Sequence, residues 1–150
     1  MRVYLDTSVL VALLLDDPFS NQADDLFRSE DVTPIVSDFA AAEFASATAR
    51  RVRTGELAAE GAREAFADLD RWLLGGVERI ETTSADVFAA GGLIRRLDLN
   101  LRTPDAIHIA VCRRSDAVMA TFDRGLAVAA EALGLTVKPG PDSDGRPSNI

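Results

Sequence analysis

Short apolar runs alternate with longer helical segments along nearly the whole chain, and that alternation limits the fold more than any other feature. Residues 3–5, 33–36, 77–82, 117–121 and 135–138 read as five short strands. Between them, residues 10–15, 21–29, 39–53, 56–74, 85–97, 103–112 and 125–133 carry helical spacing or helix-start signals. Strand, helix and strand in succession require parallel pairing with helices covering the sheet. The expected fold is therefore α/β, a three-layer sandwich around a central five-stranded parallel sheet.

Local signals punctuate this pattern. Thr7 or Ser8 is expected to cap the first helix, Ser37 or Asp38 the third, and Ser84 the fifth. Thr103-Pro104-Asp105 opens the sixth with a cap, an early proline and an acid in the first turn. Gly91 and Gly92 lie inside the fifth helix, where each costs about 1 kcal/mol relative to alanine, and close helix packing is the expected compensation. The third helix is rich in alanine, at positions 40, 41, 42, 45, 47 and 49, so a neighbouring backbone can approach it. Residues 1–138 make one domain, and the Pro-, Gly- and Ser-containing stretch 139–150 is expected to be a disordered tail.

Four acids stand where such a fold gathers ligands. Asp6 follows the first strand, Glu43 lies early in the helix after the second, and Asp123 follows the fourth strand by two residues. Asp105 begins a helix whose amino end points to the same edge. Ligands of open α/β sheets collect at the carboxyl ends of the strands. For Asp6 alone, helix capping is an equally good reading. Four carboxylates in one crevice repel one another, about 4 kcal/mol per pair at 4 Å and an effective dielectric near 20, so a cation is required. With one histidine and one cysteine in the chain, hard oxygen ligation of Mg2+, or Mn2+, suits the site better than a zinc-type centre. His108 reads as a core or capping histidine in preference to a ligand.

The net charge of −8 argues against nucleic-acid capture by overall attraction, leaving bound cations or arginine pairs such as Arg50-Arg51 and Arg95-Arg96 to do that work. A single cysteine, Cys112, allows no internal disulfide and fits a cytoplasmic setting. No apolar run reaches the length of a membrane span.

Leu5-Asp6-Thr7-Ser8-Val9-Leu10, the early-helix Glu43, Thr103-Pro104-Asp105-Ala106-Ile107-His108 and Thr121-Phe122-Asp123-Arg124-Gly125 together resemble the PIN-domain ribonucleases, and most of all the VapC toxins of toxin-antitoxin pairs. The resemblance covers residues 2–138; Ser8 departs from the asparagine common among relatives, though its hydroxyl can serve similarly. It implies a magnesium-dependent endoribonuclease with Asp6, Glu43, Asp105 and Asp123 as metal ligands and Thr7, Ser8 and Thr121 as supporting hydroxyls. It further implies an RNA substrate (tRNA, rRNA or mRNA), a cognate antitoxin and a homodimer; the third helix and the helix 56–74, with Leu69 and Leu73 on it, are the expected contacts because their apolar faces exceed what one small sheet must cover. An inactive PIN fold kept for binding is the main alternative. A phosphoacceptor receiver domain also has parallel strands tipped with aspartates, and Lys138-Pro139 suits it, but it needs an acidic pair after the first strand. A haloacid-dehalogenase-type phosphatase wants Asp-X-Asp where this chain has Asp6-Thr7-Ser8.

Overall fold

The computed structural model describes residues 1–28 and 31–139. Residues 140–150, on which the expectation of a disordered tail falls, and Ser29, the expected end of the second helix, lie outside the described residues.

Five strands are present among them: β1 (Arg2–Leu5), β2 (Thr33–Ser37), β3 (Glu78–Ile80), β4 (Val118–Ala120) and β5 (Val137–Lys138). The helices are α1 (Thr7–Leu14), α2 (Ser20–Arg28), α3 (Asp38–Arg53), α4 (Ala59–Gly75), α5 (Ser84–Ile94), α6 (Thr103–Arg114) and α7 (Arg124–Ala132). All strand pairs are parallel, in the order β3-β2-β1-β4-β5. β1 therefore lies between β2 and β4, whereas a receiver domain places its first strand between its second and third. Topology removes that alternative.

Strand alternation divides the core. Tyr4, Ile35 and Met119 face one side, with Ile109, Val111 and Cys112 of α6 and Leu126 and Ala130 of α7. Val3, Leu5, Val36 and Ala120 face the other, with Val9 and Leu10 of α1, Phe44 of α3 and Leu69 of α4. A two-sided strand needs apolar residues in succession, and Val3-Tyr4-Leu5 supplies them. Cys112 is buried and free. None of the described helices is long and apolar enough to cross a membrane.

Several local expectations change. The cap of α1 is Asp6, not Thr7 or Ser8, and its side chain accepts from the Val9 N–H. Ser37 caps α3, but α5 is capped by Thr83 with Asp86 in reciprocal contact, one residue before the expected Ser84. α6 starts with Thr103 already helical, so Arg102 occupies the cap. The helix expected from Glu56 begins at Ala59 because α3 ends in a Schellman turn: Gly55, at φ +77°, donates to Val52 O and Glu56 to Arg51 O. β3 is shorter than the expected 77–82, being an edge strand paired with β2 alone.

Two packing expectations fail outright. A Cβ built on Gly91 or Gly92 would meet nothing within 4 Å, so close helix packing is not what those glycines serve. Leu69 is only 5% exposed and belongs to this chain's own core, which removes it as a contact for another protein. Leu74, Phe88 and Leu97, each more than 80% exposed, are the most outward-facing large apolar side chains among the described residues.

Candidate active site at the carboxyl edge of the sheet

The end of β1 and the end of β4 are sewn together around Asp6, which is 3% exposed. The Asp6 N–H donates to Ala120 O (3.2 Å), continuing the β1–β4 ladder by one step. Its Oδ1 accepts from Ser8 Oγ (2.6 Å) and the Val9 N–H (3.1 Å), and its Oδ2 accepts from Thr121 Oγ1 (2.6 Å). The same hydroxyls accept in turn: Ser8 Oγ from the Phe122 N–H (2.9 Å) and Thr121 Oγ1 from the Asp123 N–H (3.0 Å). Asp6 thus caps α1 and fixes the turn leading to Asp123. Burial pushes its carboxyl pKa up, outweighing the nearby His108 and the three donors. None of those hydrogen-bond donors carries a full charge.

Glu43, in the second turn of α3, has a side chain 30% exposed and is held on one oxygen. Oε1 accepts from Thr7 Oγ1 (2.8 Å) and from His108 Nε2 (2.6 Å). His108 Nδ1 contacts Tyr4 Oη (2.7 Å), which contacts Ser37 Oγ (2.9 Å), which accepts from the Ala40 N–H (3.0 Å). One ring proton, on Nε2, satisfies both contacts: Ser37 donates to Tyr4, Tyr4 to Nδ1, and Nε2–H to Glu43. Edge contacts with the Tyr4 and Phe39 rings, at centroid distances of 5.8 and 5.1 Å, fix the imidazole plane. Burial alone would raise the Glu43 pKa, but the hydrogen bonds from His108 and Thr7, helped by the positive charge of Arg102, bring it below its usual range.

The remaining acids are tied to one guanidinium. Asp105 Oδ2 accepts from the Arg102 N–H (3.2 Å) and from Arg102 Nε (3.3 Å), and Arg102 Nη2 stands 3.9 Å from Asp123 Oδ2. Asp123 Oδ1 caps α7 by accepting from the Leu126 N–H (3.0 Å). Asp105 is 14% exposed and Asp123 40%.

The four acids are thus linked at one edge through shared neighbours: Thr121 between Asp6 and Asp123, and Arg102 between Asp123 and Asp105, with its charge also acting on Glu43. Among the described residues, no three His, Cys, Asp or Glu side chains converge closely enough to grip one ion directly. The donor set nevertheless fits a hard cation of the Mg2+ type, which keeps several waters and takes one or two carboxylates directly. A soft-metal site is ruled out for these residues by their chemistry: the single thiol, Cys112, is buried in the core with its pKa pushed up to about 12.

Arg102, Tyr4, Ser37 and the role of His108 are absent from the sequence-based site. A buried imidazole needs two partners, and the polar Tyr4 inside an otherwise apolar strand was the signal that one existed. For Arg102 the signal was a cation immediately before an acid-bearing helix start.

A family model described as PIN domain matches residues 3–132. No curated protein matches the chain in sequence. Among solved structures, VapC20 of Mycobacterium tuberculosis, described as a toxin cleaving the sarcin-ricin loop, superposes with a TM-score of 0.70 at 23% identity, covering 89% of this chain and 96% of that one. VapBC2 of Rickettsia felis, bound to a promoter DNA fragment, gives 0.63 at 17% identity over 92% and 98%. FitAcB of Neisseria gonorrhoeae gives 0.62 at 17% identity over 90% and 95%.

Proposed function

The chain belongs to the PIN domain family, and from that premise we propose that it is a divalent-metal-dependent endoribonuclease acting as the toxin of a toxin-antitoxin pair. The observation that carries the reading is Asp6: a carboxylate 3% exposed at the end of the central strand, immobilised by three donors of which none is a charged group. A buried carboxylate without a cation is costly, and the expense is rational where a cation is to be bound. A Mg2+ or Mn2+ ion bound there supplies Lewis acidity, lowering the pKa of a water and offsetting charge on a phosphodiester. Asp6, Glu43, Asp105 and Asp123 are the proposed ligands, direct or through water.

The chain's own groups do the positioning. Ser8 and Thr121 orient both oxygens of Asp6, and Thr7 and His108 hold Oε1 of Glu43 while leaving the rest of that carboxylate toward the half-open edge. Hydrolysis adds the elements of water across one P–O ester bond, and no nucleophilic side chain needs to be covalently modified. With a net charge of −8, substrate selection rests on RNA shape and on individual arginines rather than on broad attraction. Solved structures of VapBC2 and FitAB support a cognate antitoxin partner; a basic segment of that partner laid over the acidic edge is the contact this reading expects. A homodimer and a cytoplasmic setting belong to the same reading. With Leu69 inside the core, Leu74, Phe88 and Leu97 are the most exposed apolar side chains for such contacts among the described residues.

The spacing of the acids favours one competing reading, a PIN fold retained for binding, because no three of the described carboxylates converge at ligand range. Magnesium-dependent cleavage of total RNA by the wild type, lost in Asp105→Asn, separates the two. Cleavage undiminished in that variant refutes the proposed site, and a wild type inert with every divalent metal leaves the binding module. Growth arrest on expression is expected to disappear with the same variant.

A further inference from the structure

Arg102 sits where helix stability would not put it. It occupies the N-cap of α6 but offers no side-chain acceptor to the helix, at a position where Ser, Thr, Asp or Asn is worth roughly 1 kcal/mol. Its charge also lies at the positive end of the helix dipole. A residue that breaks two local rules at a site edge calls for a functional reason. The reason lies in its partners: Nε on Asp105 at 3.3 Å, Nη2 facing Asp123 at 3.9 Å, and a charge that lowers the proton affinity of Glu43. These are three of the four proposed ligands.

We propose that Arg102 is a displaceable internal counter-ion, holding Asp105 and Asp123 in the metal-free protein and yielding its place to the divalent cation. The inference rests on the metal-site reading above and assigns the residue that sets its metal affinity. Its hold is built to be weak. The side chain is 77% exposed, and neither ion pair has bidentate fork geometry. Exposed pairs of this kind are worth little individually and are screened by salt. A divalent cation brings twice the charge and needs no ordering of a long side chain. Once metal binds, both the ion and the dipole of α6 repel the guanidinium, which leaves the carboxylates for solvent or for a phosphate. Because Asp105 also accepts the backbone N–H of Arg102, the carboxylate stays oriented when the guanidinium departs.

The competition predicts an unusual direction: deleting a residue at the site should improve metal binding. Mn2+ titrated calorimetrically into the metal-free full chain should bind Arg102→Ala roughly 5- to 10-fold more tightly than wild type, within the usual range for coupling between two ligands of one site. Arg102→Lys, which keeps the charge, should stay near wild type. The gap between Ala and wild type should narrow between low and high salt, a response that a purely structural role would not give. Asp123→Asn serves as the reference for the site itself. If Asp123→Asn loses Mn2+ while Arg102→Ala binds no more tightly than wild type, the counter-ion role is overturned and the metal site stands. If neither wild type nor Arg102→Ala binds Mn2+, both readings fall.

Discussion

Replacing Asp6 by asparagine should stabilise the metal-free protein while disabling its site. The asparagine Oδ1 keeps both donors of the present Oδ1, Ser8 Oγ and the Val9 N–H. Its amide then donates to Thr121 Oγ1, which already accepts from the Asp123 N–H and has a second lone pair free; the Thr121 hydroxyl proton is released toward Ser8 Oγ, 3.5 Å away. All three hydrogen bonds to the carboxylate, each worth about 1.5–3 kcal/mol when charge-assisted, give way to neutral ones, and a charge 3% exposed is removed altogether. Burying an ionised carboxylate costs several kcal/mol, so the net gain should be about 1–2 kcal/mol at pH 7. For a chain of 150 residues that is a Tm increase of about 2–8 °C. The folded protein holds the Asp6 proton more tightly than the unfolded chain does. The stability linked to this group is therefore full below the unfolded carboxyl range and is lost as pH rises through it toward the raised folded value. The advantage of asparagine should accordingly be largest at pH 7 and shrink toward pH 3. Thermal melts in EDTA at both pH values measure this. Adding Mg2+ reverses the order, since ligand at a hundred times its Kd stabilises the wild type by about 2.7 kcal/mol and the variant by less. An Asp6→Asn protein that melts below wild type in EDTA at pH 7 would refute the argument that this carboxylate is a net burden without its cation.

Two predictions concern the scaffold. Asp86, 3% exposed, accepts from the Thr83 N–H in the capping box of α5 and receives Arg114 through Nε at 2.8 Å and Nη2 at 2.9 Å, so its pKa is low because these donors outweigh burial. Its stability contribution is present above the unfolded carboxyl range and is lost as pH falls through the folded value; Asp86→Ala should cost about 2–3 kcal/mol in urea unfolding at pH 7, with the difference closing in acid. Gly92 lies exposed inside α5 with open space at its Cβ position, so Gly92→Ala should add about 0.5–1 kcal/mol by the same assay. A loss there would mean that folded α5 needs a backbone conformation or approach at Gly92 that a methyl group excludes.

Local pattern determined much of this molecule. The alternation of apolar strands with helical segments sufficed for a parallel sheet, and the carboxylates following β1 and β4 were identifiable as an edge because strand polarity fixes which end they occupy. What the sequence left undecided was everything that depends on which surfaces meet. His108 joins Tyr4 across 104 residues and Glu43 across 65, and no periodicity encodes a contact between a strand, a helix and another helix so far apart. The same holds for Leu69, whose helical spacing marks an apolar face without saying whether this chain or another covers it, and for Gly91 and Gly92, whose surroundings exist only after α5 is placed. Arg102 shows the division most clearly. Its position before α6 is a matter of sequence, but its service to two acids from different elements arises only when the ends of the sheet bring Asp105 and Asp123 to either side of one guanidinium. Hydrophobic period is a short-range property of the chain, whereas electrostatic partnership is set by distance in space, and only the folded structure converts one into the other.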